Sequence, residues 1–444
     1  AANEGAAAVV DALLQGDAYL HQRDDDEYTP LHRAVMADAE AVVRRLLNAG
    51  ADLETRTVKG RSALHLAVVH DASNAIKALL EGSARPNRKD DAGFTPLHRA
   101  VEHSAQSALR TLLDQGADPH RRDDAGRTPL HLAIEQENAD VFDILMEHGI
   151  DTATTDDQGR PPLHLAVEIK ATAIVERLLD DGVDMYQRDE NGNAPLHRAA
   201  SANAAAAAAL LLDRGVDPHR RGANGRTPLH LAAAAGALEA IQVLLDYEAD
   251  PHTTDDDDLI PLHLTVDANQ AAGVTALLNA GADPHRRDLR GRTALHRAVD
   301  KEATEVVTAL LKGGADAETV DQNGYLPAHK AAYRNDVDTL QALLDGEVDP
   351  DMPDGQDRIP LHAAAQTDAV EAVRTLLDAG AEATHLSEAG YAPLHVAANQ
   401  NATGVLTALL EHGLDPDRPN KDGRTPLHTA AQSNAVEALK VLLV

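Results

Sequence analysis

Histidines at one fixed spacing are the residues of this chain most able to do chemistry. A Leu-His or Ala-His dipeptide recurs every 33 residues, which places imidazoles at His32, His65, His98, His131, His164, His197, His230, His263, His296, His329, His362, His395 and His428. Imidazole nitrogens bind metal ions and transfer protons near neutral pH. A fixed period of this length also indicates stacked copies of one small unit, each supported by its neighbours.

The residues around each histidine predict two short helices per repeat. Thr128 can cap a helix that starts at Pro129, where a missing N–H costs nothing, and apolar residues then follow at helical spacing. This first helix should last roughly two turns. A polar break follows it, and a second helix runs to a Leu-Leu pair. A stretch rich in turn residues, such as 123–126, then leads into the next repeat as a finger.

The break is expected to take a left-handed conformation in every repeat, because Asn and Asp tolerate it and glycine prefers it. The break residues are Asp38, Asp71, Ser104, Glu137, Lys170, Asn203, Gly236, Asn269, Glu302, Asn335, Asp368, Asn401 and Asn434. The capping hydroxyl is missing at Pro161, Ala194, Ile260, Leu326, Ile359 and Ala392. Local opening should therefore concentrate there, most of all at Ile260 and Ile359, whose fingers also lack the usual glycine.

The combination of Thr-Pro-Leu-His, Leu-Leu and Gly-Ala-Asp in one register resembles the ankyrin repeat family over the whole chain. The resemblance implies an all-α ankyrin-repeat solenoid, a curved superhelix with a helix-turn-helix and a hairpin finger in each repeat. Residues 1–28 would form a partial repeat and the first finger. Residues 29–444 would form thirteen repeats in one continuous solenoid, the last ending after its second helix. We expect a window within a longer array; an engineered array with abrupt ends is the alternative.

The resemblance also assigns the Leu-His histidines a structural role, a hydrogen bond to the capping threonine and the adjacent finger. A second set stands at one finger position: His21, His120, His219, His252 and His285. Successive fingers should lie about 10 Å apart, whereas ligands of one ion lie within about 2.6 Å of it. We therefore expect no metal site from the histidines. The acidic run 255–258 is interpreted as a solvated turn, since it lacks the spacing of a calcium loop.

Composition excludes several classes of function. The chain has no cysteine and none of the nucleotide-binding, metalloprotease or serine hydrolase motifs, so we predict that it is not an enzyme and uses no cofactor. Its net charge of −32, from 40 basic and 72 acidic residues, disfavours nucleic acids and anionic lipids. No apolar run of eighteen residues is present, so direct membrane insertion of this chain is not expected.

The candidate binding residues lie where the repeats differ. The resemblance implies that partners contact the finger tips and the exposed end of the first helix, on the concave face. Arginine and aromatic residues are enriched at those positions and in protein interfaces. The candidates are Tyr28, Phe94, Arg127, Arg226, Arg292, Tyr325, Tyr333, Arg334, Arg358 and Tyr391. The alternative for the arginines is pairing with finger aspartates of adjacent repeats, such as Asp123 and Asp124.

These observations predict a non-enzymatic scaffold that binds a protein partner, with residues 321–400 as the hot spot. One alternative is a structural arm of a larger assembly, such as a channel, a toxin or a complex that binds other copies of itself. The other is the recruitment region of an enzyme whose catalytic domain lies outside this chain.

Overall fold

All regular secondary structure in the described part of the chain is helical. The computed structural model describes residues 2, 5–16 and 18–443; Ala1 and Val444, the limits of the predicted partial repeat and of the last repeat, lie outside them. The chain forms two compact units, Ala1–Val216 and Asp217–Val444. Each unit is an all-α repeat solenoid in which short first helices alternate with second helices.

The first unit contains helices of seven and nine residues in alternation after its opening helix. Their bounds are α1 Ala7–Gln15, α2 Pro30–Met36, α3 Glu40–Asn48, α4 Ala63–Val69, α5 Ser73–Glu81, α6 Pro96–Glu102, α7 Gln106–Asp114, α8 Pro129–Glu135, α9 Ala139–Glu147, α10 Pro162–Glu168, α11 Thr172–Asp180, α12 Pro195–Ser201 and α13 Ala205–Asp213.

The second unit repeats the pattern and adds a short 3-10 turn at Ala223–Gly225. Its helices are α14 Pro228–Ala235, α15 Leu238–Asp246, α16 Pro261–Asp267, α17 Ala271–Asn279, α18 Ala294–Asp300, α19 Thr304–Lys312, α20 Pro327–Arg334, α21 Val337–Asp345, α22 Pro360–Gln366, α23 Val370–Asp378, α24 Pro393–Gln400, α25 Thr403–Glu411, α26 Pro426–Gln432 and α27 Val436–Leu442.

The first helices start where the sequence predicts. Thr95 is extended at φ −78° and ψ 167°, its side chain accepts the backbone N–H of His98, and Pro96 opens α6. The apolar face that follows, Leu97 and Val101, is fully buried. Alanines between these larger residues are buried as well, which lets neighbouring helices approach closely.

The predicted left-handed breaks are confirmed in all thirteen repeats, with φ between 48° at Asp38 and 64° at Lys170. Several of these side chains have a second role that the sequence analysis did not identify. The Oδ1 atom of Asp38 accepts the N–H of Ala75, in the first turn of the next repeat's second helix, at 2.8 Å. Asp71, Asn335, Asp368 and Asn401 do the same 37 residues further on. The break thus caps a helix of the following repeat, which supplies a hydrogen bond that its own alanine N-cap cannot make.

At Gly126 the finger requires glycine for both conformation and space. Gly126 has φ +76°, and a Cβ there would lie 1.8 Å from Cγ of Asp157 in the next finger. Asp258 and Asp357 adopt the same left-handed conformation at φ 58° and 54°. Because non-glycine residues are strained there, these two fingers carry a local cost, as expected from the sequence.

Candidate functional site

Eight of the fingers are each built around one buried aspartate. In the finger of residues 90–94, Oδ1 of Asp90 accepts the N–H groups of Ala92 and Phe94 at 3.0 and 3.1 Å, and the Asp90 N–H donates to the Phe94 carbonyl at 2.9 Å. The Asp90 side chain is fully buried. The same turn recurs at Asp123, Asp156, Asp189, Asp255, Asp288, Asp321 and Asp354. This turn fixes the residue four positions after the aspartate, which is Phe94 in the finger of residues 90–94. Most candidate binding residues stand at this position of their repeats.

Every one of these buried carboxylates has a cation beside Oδ2. In three fingers the cation is the arginine four residues later, at 2.7 Å in each case: Arg127, Arg160 and Arg358. In three others it comes from the first helix instead: Arg99, Arg198 and Lys330. Where the helix provides the cation, the residue four positions after the aspartate is Phe94, Asn193 or Tyr325. The aromatic residues therefore stand at fingers that do not need an arginine of their own.

Two fingers differ from this pattern, because one has no cation at either of the two positions and the other has a cation at both. Asp255 has leucines at both of its cation positions, and its carboxylate is reached by Arg226 of the preceding finger at 3.0 Å. Asp288 has two cations, Arg292 at 2.9 Å and Arg297 at 2.8 Å. The compensation of charge is thus complete in both fingers, although only the tertiary structure shows which cation provides it.

The ion pairs change the pKa values of the finger carboxyls. Burial by itself would raise the pKa of Asp288, but hydrogen bonds from Arg292 and Arg297 outweigh it and lower the pKa to about 2. The pKa values of Asp123 and Asp354 are also lowered, against the effect of burial, by Arg127 and Arg358. These aspartates are therefore ionised at neutral pH and hold their arginines in place.

The candidate arginines have further partners on the same face. Arg127 donates to Glu135 at 2.7 Å, and Arg292 donates to Asp300 at 3.2 Å. Arg334 donates to the carbonyl oxygens of Val299 and Asp300 at 3.3 and 2.7 Å. Arginine–aspartate pairing is thus observed, although the alternative considered above, pairing with a finger aspartate of an adjacent repeat, is met among the candidate arginines only by Arg226. The pairing lies within one finger for Arg127, Arg292 and Arg358 and between fingers for Arg226.

The candidate aromatic residues remain accessible to different degrees. Tyr28, Phe94, Tyr325 and Tyr391 are half-buried, whereas Tyr333 is 48% exposed. Two guanidinium groups lie near the Phe94 ring, with Cζ of Arg99 at 4.6 Å and of Arg127 at 5.8 Å from its centroid. Two more rings have one guanidinium each: Tyr28 with Arg33 at 4.7 Å, and Tyr325 with Arg358 at 5.4 Å. Cation–π contact holds these rings in place on the finger side of the repeats.

The Leu-His histidines have the predicted structural contacts. Nδ1 of His131 lies 3.4 Å from the N–H and 2.7 Å from the hydroxyl of Thr128, while Nε2 lies 3.0 Å from the carbonyl of Arg160 in the next finger. Because a backbone N–H can only donate, Nδ1 accepts and Nε2 carries the proton. Burial lowers the pKa of several of these histidines, including His131, and to about 4 at His263 and His362. A neutral ring with both nitrogens engaged has no lone pair for a metal ion.

Histidines without a capping hydroxyl form a distinct subset. Nδ1 has no partner within the described residues at His164, His329 and His395, whose repeats begin with Pro161, Leu326 and Ala392. At His263 the N–H of Ile260 still donates to Nδ1 at 3.3 Å. Among the residues the structure describes, no group of three His, Asp or Glu side chains is placed to hold a metal ion.

A comparison with protein families identifies the fold. A family model described as "Ankyrin repeats (3 copies)" matches residues 1–90, 52–123, 97–189, 163–255, 196–288, 247–321, 295–387 and 361–444. The chain belongs to the ankyrin repeat family. Ankyrin repeat domains generally mediate protein–protein interaction and are typically non-enzymatic. No helix in the described ranges is long and apolar enough to cross a membrane.

Solved ankyrin structures resemble parts of the chain. The ankyrin repeat domain of Bcl-3, described as a unique member of the IkappaB protein family, is 31% identical; the match covers 50% of this chain and 99% of that domain, with a TM-score of 0.45. The human ASB11 ankyrin repeat domain is 30% identical over 49% of this chain and 97% of that domain, with a TM-score of 0.42. No curated protein matches the chain.

One stretch of ankyrin fingers and first helices differs from the rest. Between the finger of residues 387–391 and helices α22 and α24 lies a cavity of about 320 Å³, lined in part by Gln366, Ser387, Tyr391, Asn399 and Gln400. Gln366, Asn399 and Gln400 are exposed and were not among the predicted binding residues. The signal that could have found them is the 33-residue register of Tyr333, which holds Gln366 and Asn399 where five earlier repeats hold carboxylates.

Proposed function

We propose that this chain is a non-enzymatic ankyrin scaffold that binds a protein partner through the side formed by its fingers and first-helix ends, called here the finger face. The proposed contact residues are Tyr28, Phe94, Arg127, Arg226, Arg292, Tyr325, Tyr333, Arg334, Arg358 and Tyr391. Within this set the aromatic residues provide the binding surface. The arginines hold the rings and fingers in position, because their guanidinium groups already face aspartates of the chain.

The exposure of Tyr333 is the observation that carries the proposal. A tyrosine that is 48% exposed is uncommon in a chain with only seven tyrosines and two phenylalanines. Tyr325 stands eight residues before it in the same repeat, and Tyr391 lies two repeats on. Tyrosines contribute disproportionately to binding energy in protein interfaces. Residues 321–400 are therefore proposed as the hot spot.

The proposal is tested by replacing Tyr325, Tyr333 and Tyr391 singly with alanine. A partner purified after cross-linking from the native source is titrated against each variant at low and at moderate salt. At least one substitution should weaken binding by more than about 1 kcal/mol, roughly fivefold, without unfolding the array. Val436→Ala is the matched control, because Val436 is 48% exposed, as Tyr333 is, and lies on the second helix α27.

A second candidate function follows from the net charge of −32. An array this acidic attracts a basic partner along its whole length, and such attraction weakens steeply as salt rises. Three silent tyrosine substitutions together with a strong salt dependence would favour this electrostatic capture over the proposed hot spot.

A further inference from the structure

The ends of the first helices change character within the second unit. At one register, Asp267 and Asp300 carry carboxylates that are fully engaged: Asp267 pairs with Arg297, and Asp300 accepts from Arg292 and Lys330 at 3.2 and 3.0 Å. The next three residues of this register are Tyr333, Gln366 and Asn399. Their side chains are exposed and form no hydrogen bond or ion pair with the part of the chain that the structure describes.

The surface beside this row carries little net charge. The carboxylate of Asp354 neutralises Arg358 at 2.7 Å. The next finger has Ser387 where eight fingers hold a buried aspartate, so it needs no cation and carries Tyr391 instead. The cavity between them is lined by amide, hydroxyl, aromatic and apolar groups, together with the ring of His362 and Arg358, whose charge Asp354 offsets. In a chain of net charge −32, a strip of free neutral donors and acceptors selects for a neutral ligand.

Amide side chains have the hydrogen-bonding capacity of a peptide main chain. Gln366 and Asn399 can each donate and accept, as can a backbone amide, whereas a carboxylate can only accept. First helices of successive repeats lie about 10 Å apart, and an extended peptide advances about 3.3 Å per residue. One amide therefore meets the main chain at about every third residue, and three repeats span about nine residues.

We propose that Tyr333, Gln366, Asn399 and Gln400 bind the main chain of an extended, uncharged segment of the partner about nine residues long. The amides pair with its N–H and C=O groups, and the rings of Tyr333 and Tyr391 contact its side chains. This inference rests on the proposed function, because it names the chemistry of what occupies the finger face.

The test uses two libraries of displayed nine-residue peptides selected on the full chain. One library contains uncharged residues only, and the other has lysine or arginine at a third of its positions. The uncharged library should yield the tighter binders. Their affinity should fall about three- to tenfold for Gln366→Ala and for Asn399→Ala, as expected for one lost hydrogen bond. Met36→Ala, at the same register in the first unit, is the matched control and should leave affinity unchanged.

Backbone methylation of the best uncharged peptide tests the binding mode. N-methylation should weaken binding at about every third residue and be tolerated elsewhere, because only those N–H groups donate to the amide row. Circular dichroism of each protein variant establishes that the array remains folded. Binding by the basic library alone, indifference to the two amide substitutions, or tolerance of methylation at every position would each overturn the inference.

The outcome also separates this inference from the proposed function. If the tyrosine variants weaken the native partner while no uncharged peptide binds, the extended-segment inference fails and the proposed function stands. If the native partner is indifferent to the tyrosine and amide variants alike, both fail.

Discussion

Neutralising the carboxylate of Asp288 should destabilise its finger strongly and locally. The Asp288→Asn change keeps the Oδ1 acceptor for the N–H groups of Arg290 and Arg292, so the turn itself survives. It removes the charge that faces Arg292 and Arg297. The pKa of this carboxyl is lowered from 3.8 to about 2. The difference between those two values corresponds to about 2 kcal/mol at neutral pH.

The direction of the pKa shift determines the pH range in which the Asp288 carboxylate stabilises the fold. The folded-state pKa of Asp288 is depressed, so its contribution is present above the unfolded value of 3.8 and is lost as pH falls toward about 2. The Asp288 side chain is only 4% exposed, so solvent screens the interaction little.

Hydrogen exchange measured peptide by peptide is the suitable assay, because long repeat arrays do not unfold in two states. A loss of about 2 kcal/mol corresponds to roughly 30-fold faster exchange in peptides that cover residues 283–300. Asn420→Asp is the matched reverse control: Asn420 holds the same turn, and its Nδ2 atom is buried without a partner. It should not accelerate exchange. An increase below about threefold at 283–300, or an equal increase at 118–135, would refute the argument.

Three further predictions concern the repeats. His230→Ala should destabilise its repeat by roughly 1–3 kcal/mol, through loss of a buried hydrogen-bonding group, with no change in metal content; a stoichiometric ion that disappears with the substitution would contradict the structural role. Hydrogen exchange should be faster in the repeats that begin at Ile260 and Ile359 than in the one that begins at Thr128, and uniform protection would exclude this. Because the pKa of His263 falls from 6.5 to about 4 on folding, stability should decline as pH falls through that range; equal urea sensitivity at both ends would contradict it.

The repeat architecture could be predicted from the sequence because its causes are local. Thr95, Pro96 and His98 specify the start of a helix within four residues, and the left-handed break at Asp38 depends mainly on the residue that occupies it. The hydrogen bonds of the Leu-His histidines follow from the same short motif. The sequence does not predict that Asp38 also caps a helix of the next repeat, because that contact joins residues 37 apart.

By itself, therefore, the sequence determined the period, the helices, the breaks and the membership of the fold class, since each depends on side chains a few residues apart. Only the tertiary structure decided which cation reaches each buried finger aspartate, for example Arg226 for Asp255 of the next finger. It also decided which polar groups have no partner among the described residues, as at Gln366 and Asn399. The physical reason is that an ion pair or a free amide depends on distances between side chains of neighbouring repeats. The 33-residue register shows which residues are neighbours, but it does not show the directions of their side chains.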